Sequence, residues 1–253
     1  MANIRKHKFI FICGLHRSGT SLLYKILKEQ KNISGLSKTN VIEDEGQHVQ
    51  TVYPPANKYG GPGRFGFNEA SFLNQNSELI TKQNQDTLFN EWSKYWDLKN
   101  EYLLEKSPPN LVRTLFLQEM FPNSYFITLF RHPIATSLAT KKWSKTSHHS
   151  LIKHWLICHK QYLKDKPKLK HSLDIKYEDM VNNSEITMKR ISKFLGVQIK
   201  TPSIEIKKEI NNKYLMLWQK NKKNIFYKRS VRKAELEFEK EINKFGYSFI
   251  NNL

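Results

Sequence analysis

The fold of this chain is decided by residues 8–27, whose sequence is KFIFICGLHRSGTSLLYKIL. Phe9 to Cys13 is a continuous apolar run, which is typical of a strand buried on both faces of a parallel sheet. Gly14 to Thr20 forms a short loop, and Ser21 to Gln30 has apolar side chains at helical spacing. Because the loop amides and the helix N-terminus converge in such a unit, the segment predicts a phosphate-binding turn rather than an ordinary connection.

The loop is close to the Walker A pattern, G-x-x-x-x-G-K-[ST], but lacks its lysine. Gly14 and Gly19 have the required spacing, whereas Thr20 stands at the lysine position. That lysine neutralises the β- and γ-phosphates of a nucleoside triphosphate. Here the cation is Arg17, inside the loop, which suits a phosphate bearing one transferable group better than a magnesium-bound triphosphate.

Three further strands are predicted, and each ends in polar residues. The apolar runs are Tyr102 to Glu105, Ser124 to Phe130 and Ser172 to Lys176. Lys106 follows the first of them, at the strand end where open α/β sheets bind ligands, although a surface lysine before a turn is the alternative. Arg131 follows the second, where a Walker B strand would end in aspartate. Its guanidinium offers a bidentate fork to phosphate, and a salt bridge to a nearby carboxylate is the alternative.

These motifs together resemble those of sulfotransferases that use PAPS (3′-phosphoadenosine 5′-phosphosulfate). The similarity is greatest to the branch with an Arg-Ser-Gly-Thr loop, which includes tyrosylprotein sulfotransferases and many bacterial enzymes. It rests on four segments in the same order along the chain, Phe9–Leu27, Leu103–Asn110, Phe126–Lys141 and Ile175–Val181. The resemblance implies transfer of a sulfuryl group from PAPS to a hydroxyl or amine acceptor, release of PAP (3′,5′-adenosine bisphosphate), and no metal requirement.

The resemblance also implies roles for individual residues. The 5′-phosphosulfate would be held by Arg17, Ser18, Gly19, Thr20 and Ser21. Lys106 would contact the sulfuryl group, Arg131 and Ser137 would bind the 3′-phosphate, and Tyr177 would lie near the nucleotide. The family also places a basic part of the tail over the 3′-phosphate, but the tail of this chain gives no residue-by-residue match.

An acidic cluster after the first helix is the candidate source of the general base. Sulfuryl transfer to a hydroxyl needs a group that accepts its proton. A catalytic glutamate follows the first helix at a comparable distance in related sulfotransferases, so we expect Glu45 to be the base. Glu43, Asp44 and His48 remain alternatives, since spacing does not separate them, and a solvated acidic turn is the non-functional interpretation.

The order of elements predicts one α/β domain over residues 1–253. Its fold would be P-loop-like, with three layers in which helices flank a central parallel sheet. Helices are expected over Ser77–Trp96, Leu151–Leu163 and Ser184–Leu195, with a further helix near the C-terminus. Between the first helices, residues 53–66 are rich in proline and glycine. They form either a surface linker or a loop over the acceptor site that contacts it through Tyr53, Tyr59, Phe65 and Phe67.

Composition limits the alternatives. The formal net charge is +19, which calls for an anionic partner. A nucleic-acid-binding protein would explain the charge but not two ordered anion loops, and a P-loop kinase would need the missing Walker lysine and strand-end aspartate. No membrane-spanning run or signal peptide is present, so a cytoplasmic location with free Cys13 and Cys158 is expected. The acceptor class and the oligomeric state are left open.

Overall fold

A computed structural model describes residues 4–200 and 210–250. Its centre is a five-stranded sheet with the strand order β2-β3-β1-β4-β5, in which every neighbouring pair is parallel. The strands are β1 Lys8–Cys13, β2 Ile33–Gly35, β3 Tyr102–Lys106, β4 Ser124–Phe130 and β5 Ser172–Lys176. The predicted fold class, a parallel sheet flanked by helices, is confirmed. That the whole chain forms one domain stays a prediction.

Helices cover both faces of this sheet. They are α1 Thr20–Lys28, α2 Lys82–Ser93, α3 Thr114–Met120, α4 Pro133–Thr140, α5 His148–Asp165, α6 Tyr177–Asn182, α7 Ser184–Leu195, α8 Ile210–Lys223 and α9 Lys228–Asn243. The predicted α7 is confirmed residue for residue. The prediction for α2 was too long, because the Thr81 side chain caps the helix by accepting from Asn84 N at 3.1 Å.

β1 is apolar because it is the central strand of the sheet. Phe9 and Phe11 belong to a core shared with α2, α5 and α9, whereas Ile10 and Ile12 belong to a second core shared with α1 and α7. Since alternate side chains of a strand point to opposite faces, both faces of β1 are buried. In the register of the sheet Ile12 pairs with Lys106, so the ends of β1 and β3 meet at one edge.

Candidate active site

The loop between β1 and α1 has a conformation that only particular residues permit. Gly19 has φ +102° and precedes the first residue of α1, and a Cβ atom there would collide with the Tyr177 ring. Arg17 has φ +69°, in the left-handed region that side chains other than glycine rarely adopt. Strain of this kind is concentrated at ligand sites. The loop is thus held against Tyr177 while the Arg17 side chain extends to the ring of Trp143, 5.2 Å away.

A cavity of about 770 Å³ opens at the carboxyl edge of the sheet. This size lies within the range of small-molecule sites. Seven of the ten predicted site residues line it: Arg17, Gly19, Thr20, Ser21, Glu45, Arg131 and Tyr177. The other three, Ser18, Lys106 and Ser137, do not line it. The Ser18 hydroxyl instead donates to Leu15 O at 2.7 Å and so stabilises the loop from within.

Arg131 lines this cavity, and one of its hydrogen-bond donors has no partner among the described residues. Its Nε donates to Asn211 Oδ1 at 2.9 Å and its Nη1 to Arg17 O at 2.6 Å. Its Nη2 is buried without a hydrogen-bond partner among the described residues. The nearby carboxylate of Glu178 is bound by Asn211 and Tyr247 instead. A buried donor without a partner is costly, so this group is suited to an anionic ligand.

Glu45 and Lys106 form a buried ion pair. Lys106 is fully buried, and its Nζ donates to Glu45 Oε1 at 3.0 Å. The second oxygen, Oε2, accepts from Gln47 Nε2 at 2.6 Å. The interpretation of Lys106 as a surface lysine is therefore wrong. Its predicted contact with the sulfuryl group stays a prediction, since Glu45 lines the cavity and Lys106 does not.

Side chains at the end of β3 hold the segment that contains Glu45. We call this contact, between residues 105–107 and residues 45–47, the clamp. Glu105 Oε1 accepts from Gly46 N at 3.0 Å, and Ser107 Oγ accepts from Gln47 N at 3.0 Å. A Cβ on Gly46 would lie 2.6 Å from Glu105 Oε1, so only glycine permits this approach. Burial raises the pKa of Glu105 to about 7, although Ser107 and Asn110 donate to it. Through these hydrogen bonds, the end of β3 fixes the backbone next to Glu45.

The structure separates the four acidic and basic candidates for the general base. Asp44 accepts from Thr39 Oγ1 at 2.6 Å and lies 3.5 Å from Lys28 Nζ, and it does not line the cavity. Glu43, Glu45 and His48 all line it. His48 Nε2 is 3.8 Å from Glu45 Oε2. Asp44 thus has a structural role, and Glu45 is the buried carboxylate of the three groups at the cavity.

Ser137 faces a second, much smaller cavity. Its hydroxyl is buried without a hydrogen-bond partner among the described residues, between Leu15, His16 and Trp155. The residue lies on α4, which begins just after Arg131, but it does not line the large cavity. Ser137 and Arg131 thus line different cavities, and the assignment of Ser137 to the 3′-phosphate stays a prediction.

The proline- and glycine-rich loop reaches the large cavity through other residues than predicted. Tyr53 and Phe65 are buried in the core, and the expectation that they contact an acceptor is wrong. Arg113 anchors the loop by donating from Nη2 to Pro54 O at 3.0 Å and from Nε to Ser71 O at 3.1 Å. The residues of this loop that line the cavity are Ala56, Asn57 and Pro62.

Sequence reasoning missed several residues of the cavity wall. They include His16, Trp143, Lys213 and Tyr214. Lys213 comes from α8, in the basic tail for which the sequence allowed no residue-by-residue match. The pKa of His16 is lowered, first by burial and then by the charge of Lys106. The resemblance implied a basic part of the tail near the 3′-phosphate, but nothing local distinguishes Lys213 from the other lysines of the tail.

Three of the four histidines of α5, His148, His154 and His159, are buried, whereas His149 pairs with the exposed Glu237. His154 packs edge-on against Phe65, and His159 stacks on Trp155 with ring centroids 3.9 Å apart. Within the described residues, no group of three or more His, Cys, Asp or Glu is arranged to hold a metal ion.

Sequence comparison identifies the family of this chain. The model described as "Sulfotransferase family" matches residues 10–201. Because the match spans well over half of the 253 residues, the chain belongs to the sulfotransferase family. None of the curated proteins matches the sequence significantly.

Solved sulfotransferases share the fold. A sulfotransferase from Mycobacterium avium aligns with a TM-score of 0.53 at 12% identity, over 96% of this chain and 78% of that one. One from Alicyclobacillus acidocaldarius aligns with a TM-score of 0.50 at 16% identity, over 91% and 95%. The sulfotransferase domain of the Synechococcus PCC 7002 olefin synthase gives 0.51 at 19% identity, over 77% and 76%. At these identities the likeness concerns the fold.

Proposed function

We propose that this sulfotransferase transfers the sulfuryl group of PAPS to a hydroxyl or amine acceptor and releases PAP. Membership of the family supports the reaction class. The observation that carries the choice of donor is Arg131: its buried Nη2 has no hydrogen-bond partner among the described residues, and the residue lines the same cavity as Arg17 and the start of α1. One donor molecule with phosphates at its 5′ and 3′ positions would occupy both anion sites.

The reaction would proceed by attack of the acceptor oxygen on sulfur. The bond between sulfur and the bridging oxygen breaks, its electron pair stays with the phosphate of PAP, and the acceptor proton passes to a base. Arg17 and the amides at the start of α1 are positioned to stabilise the charge that grows on the leaving phosphate. Protein cations can take this role without magnesium because the sulfuryl group ionises only once.

Glu45 is our candidate for the base. It lines the cavity, and the clamp and its ion pair with Lys106 fix its carboxylate. A positioned carboxylate contributes to transfer by accepting the proton as the new bond forms. His48 and Glu43 line the same wall and are the alternatives to be tested.

The 3′-phosphate would be bound by Arg131 together with Lys213. Both line the cavity, and Asn211 ties Arg131 to the same helix that carries Lys213. Two cations at one cavity favour a doubly charged group. Ser137, which the resemblance assigned to this phosphate, has no part in this proposal.

Thermal melting with three nucleotides tests the donor. PAP should raise the melting temperature strongly and adenosine 5′-phosphosulfate less, because a ligand that binds only the native state stabilises it by RT ln(1 + [L]/Kd). ATP with magnesium should have little effect, since Thr20 replaces the Walker lysine. Equal stabilisation by ATP with magnesium, or none by PAP, would contradict the proposal.

A further inference from the structure

The turn that joins α8 to α9 exposes two large apolar side chains. Ile225 is 73% exposed and Phe226 is 85% exposed. The turn itself is hydrogen-bonded: Asn224 Oδ1 accepts from Phe226 N at 2.9 Å, and Asn224 O accepts from Lys228 N at 2.8 Å. Adjacent apolar side chains presented to water by a defined turn indicate a binding surface.

Positive charge surrounds this apolar tip. Residues 220–233 contain seven Lys or Arg and no Asp or Glu. Lys222 pairs with Glu235 at 2.7 Å. In the described part of the chain no ion pair is found for the remaining six, which are exposed: Lys220, Lys223, Lys228, Arg229, Arg232 and Lys233. Such a concentration of like charge indicates an anionic partner.

The inner side of the turn is firmly packed, so the exposed side chains are not displaced core residues. Trp218 and Val231, on the two flanking helices, are fully buried. Asn221 Nδ2 lies 3.0 Å from His148 Nε2, and the His148 ring is 5.0 Å from that of Tyr227. On the outer side, a shallow groove of about 600 Å³ is lined by four cations of α9, by Glu237 and by Leu236, which is exposed.

We propose that residues 220–233 bind the surface of an anionic lipid bilayer. Ile225 and Phe226 enter the boundary between headgroups and acyl chains, and the surrounding lysines and arginines contact the lipid phosphates. An apolar tip whose flanking residues are rich in exposed cations is the pattern of interfacial binding. A nucleic acid would use the cations but would leave the aliphatic Ile225 and Leu236 in water, so the bilayer is the better match.

Binding to vesicles tests this proposal without reference to catalysis. The full chain is sedimented with vesicles of phosphatidylcholine alone and of phosphatidylcholine with phosphatidylglycerol, at about 0.1 M salt. We expect binding to the anionic vesicles only. The variant Phe226→Ser/Lys228→Glu should lower the partition coefficient by more than about tenfold.

A matched control removes the same kinds of group elsewhere. Ile186→Ser/Lys193→Glu changes one exposed apolar and one basic residue on α7, which packs on the opposite face of the sheet. It should change the partition coefficient by less than about twofold, and melting curves verify that both variants fold. Failure of the wild type to bind anionic vesicles would overturn the proposal. So would retention on duplex DNA that Phe226→Ser leaves unchanged, combined with weak vesicle binding.

Discussion

Lys106 Nζ lies 3.0 Å from Glu45 Oε1, so the last residue of β3 neutralises the carboxylate at the cavity wall. Both groups are buried, and Gln47 Nε2 holds the other carboxylate oxygen. A buried ion pair of this kind contributes little net stability, but it costs several kcal/mol to break because one charge is left unpaired. The pair thereby fixes the Glu45 carboxylate at the cavity wall.

The variant Glu45→Gln tests the base directly. It keeps the size of the side chain and an oxygen for Lys106, but it cannot accept the acceptor's proton. It also leaves the buried Lys106 charge without a counter-charge, so the unfolding free energy should fall as well. We expect kcat to fall by about 10²-fold or more with PAP affinity near that of the wild type. The comparison variants Glu43→Gln and His48→Asn should each cost much less. If one of them is inactive while Glu45→Gln turns over normally, that residue is the base instead.

Arg131→Ala should weaken PAP binding by roughly 1.5–3 kcal/mol, the range for charge-assisted hydrogen bonds. Affinity for adenosine 5′-phosphosulfate, which lacks the 3′-phosphate, should hardly change. Calorimetric titration with both ligands measures the difference. A parallel loss for both ligands would mean that Arg131 acts through its contacts with Asn211 and Arg17 rather than on the 3′-phosphate.

The variant Ser137→Ala tests whether Ser137 contacts the 3′-phosphate, as the family resemblance implies, or faces only the small cavity, as in this structure. Because the hydroxyl faces the small cavity beside His16 and Trp155, its removal should leave PAP affinity within about twofold of the wild type. Arg131→Ala, measured in parallel, is the positive control. A tenfold loss for Ser137→Ala would show that α4 rotates its side chain towards the ligand on binding.

Gly46→Ala should impair the clamp without removing any functional group. The added methyl would lie 2.6 Å from Glu105 Oε1, so residues 45–47 must shift, at a cost of about 1–3 kcal/mol in unfolding free energy. We expect kcat to fall while PAP affinity is kept. Gly35→Ala is the control. Its added methyl would lie 2.8 Å from Tyr24 Oη, and neither residue lines the cavity. It should lower stability but not kcat, and equal losses of kcat in both variants would count against a role of the clamp in positioning.

The buried histidines predict acid sensitivity. Burial lowers the pKa of His154 and of His159 to about 3, from an ordinary value of 6.5. Below pH 6.5 these histidines bind protons in the unfolded chain but stay neutral in the native state. The unfolding free energy therefore falls by up to about 1.4 kcal/mol per pH unit for each such histidine. Glu105, with its pKa raised to about 7, acts in the opposite direction as pH falls. Urea midpoints should therefore drop between pH 7 and pH 5, and less steeply in His154→Phe.

The sequence predicted the elements whose signals are local. The β4 and β5 strands and α7 have the predicted bounds, and the polar residues after β1, β4 and β5 do line one cavity. The β2 strand was missed because its three residues, Ile33–Gly35, are too few for a periodic pattern. Which cavity Lys213, Trp143 and Ser137 line depends on how helices pack across long sequence distances. A single sequence has no local signal for such packing.

The clamp and the Arg131 contacts also determine at which stage of synthesis and folding the cavity can form. Lys106 and Glu45 are 61 residues apart, and Arg131 is 114 residues from Arg17 and 80 from Asn211. Contacts this distant form only after the chain between them has been closed into crossovers of the parallel sheet. During synthesis, which proceeds from the N-terminus, the Arg131 guanidinium meets Asn211 and the Tyr214 ring only when residues 211 and 214 have left the ribosome. A nascent chain that already carries the complete loop between β1 and α1 is therefore still unable to form the finished cavity.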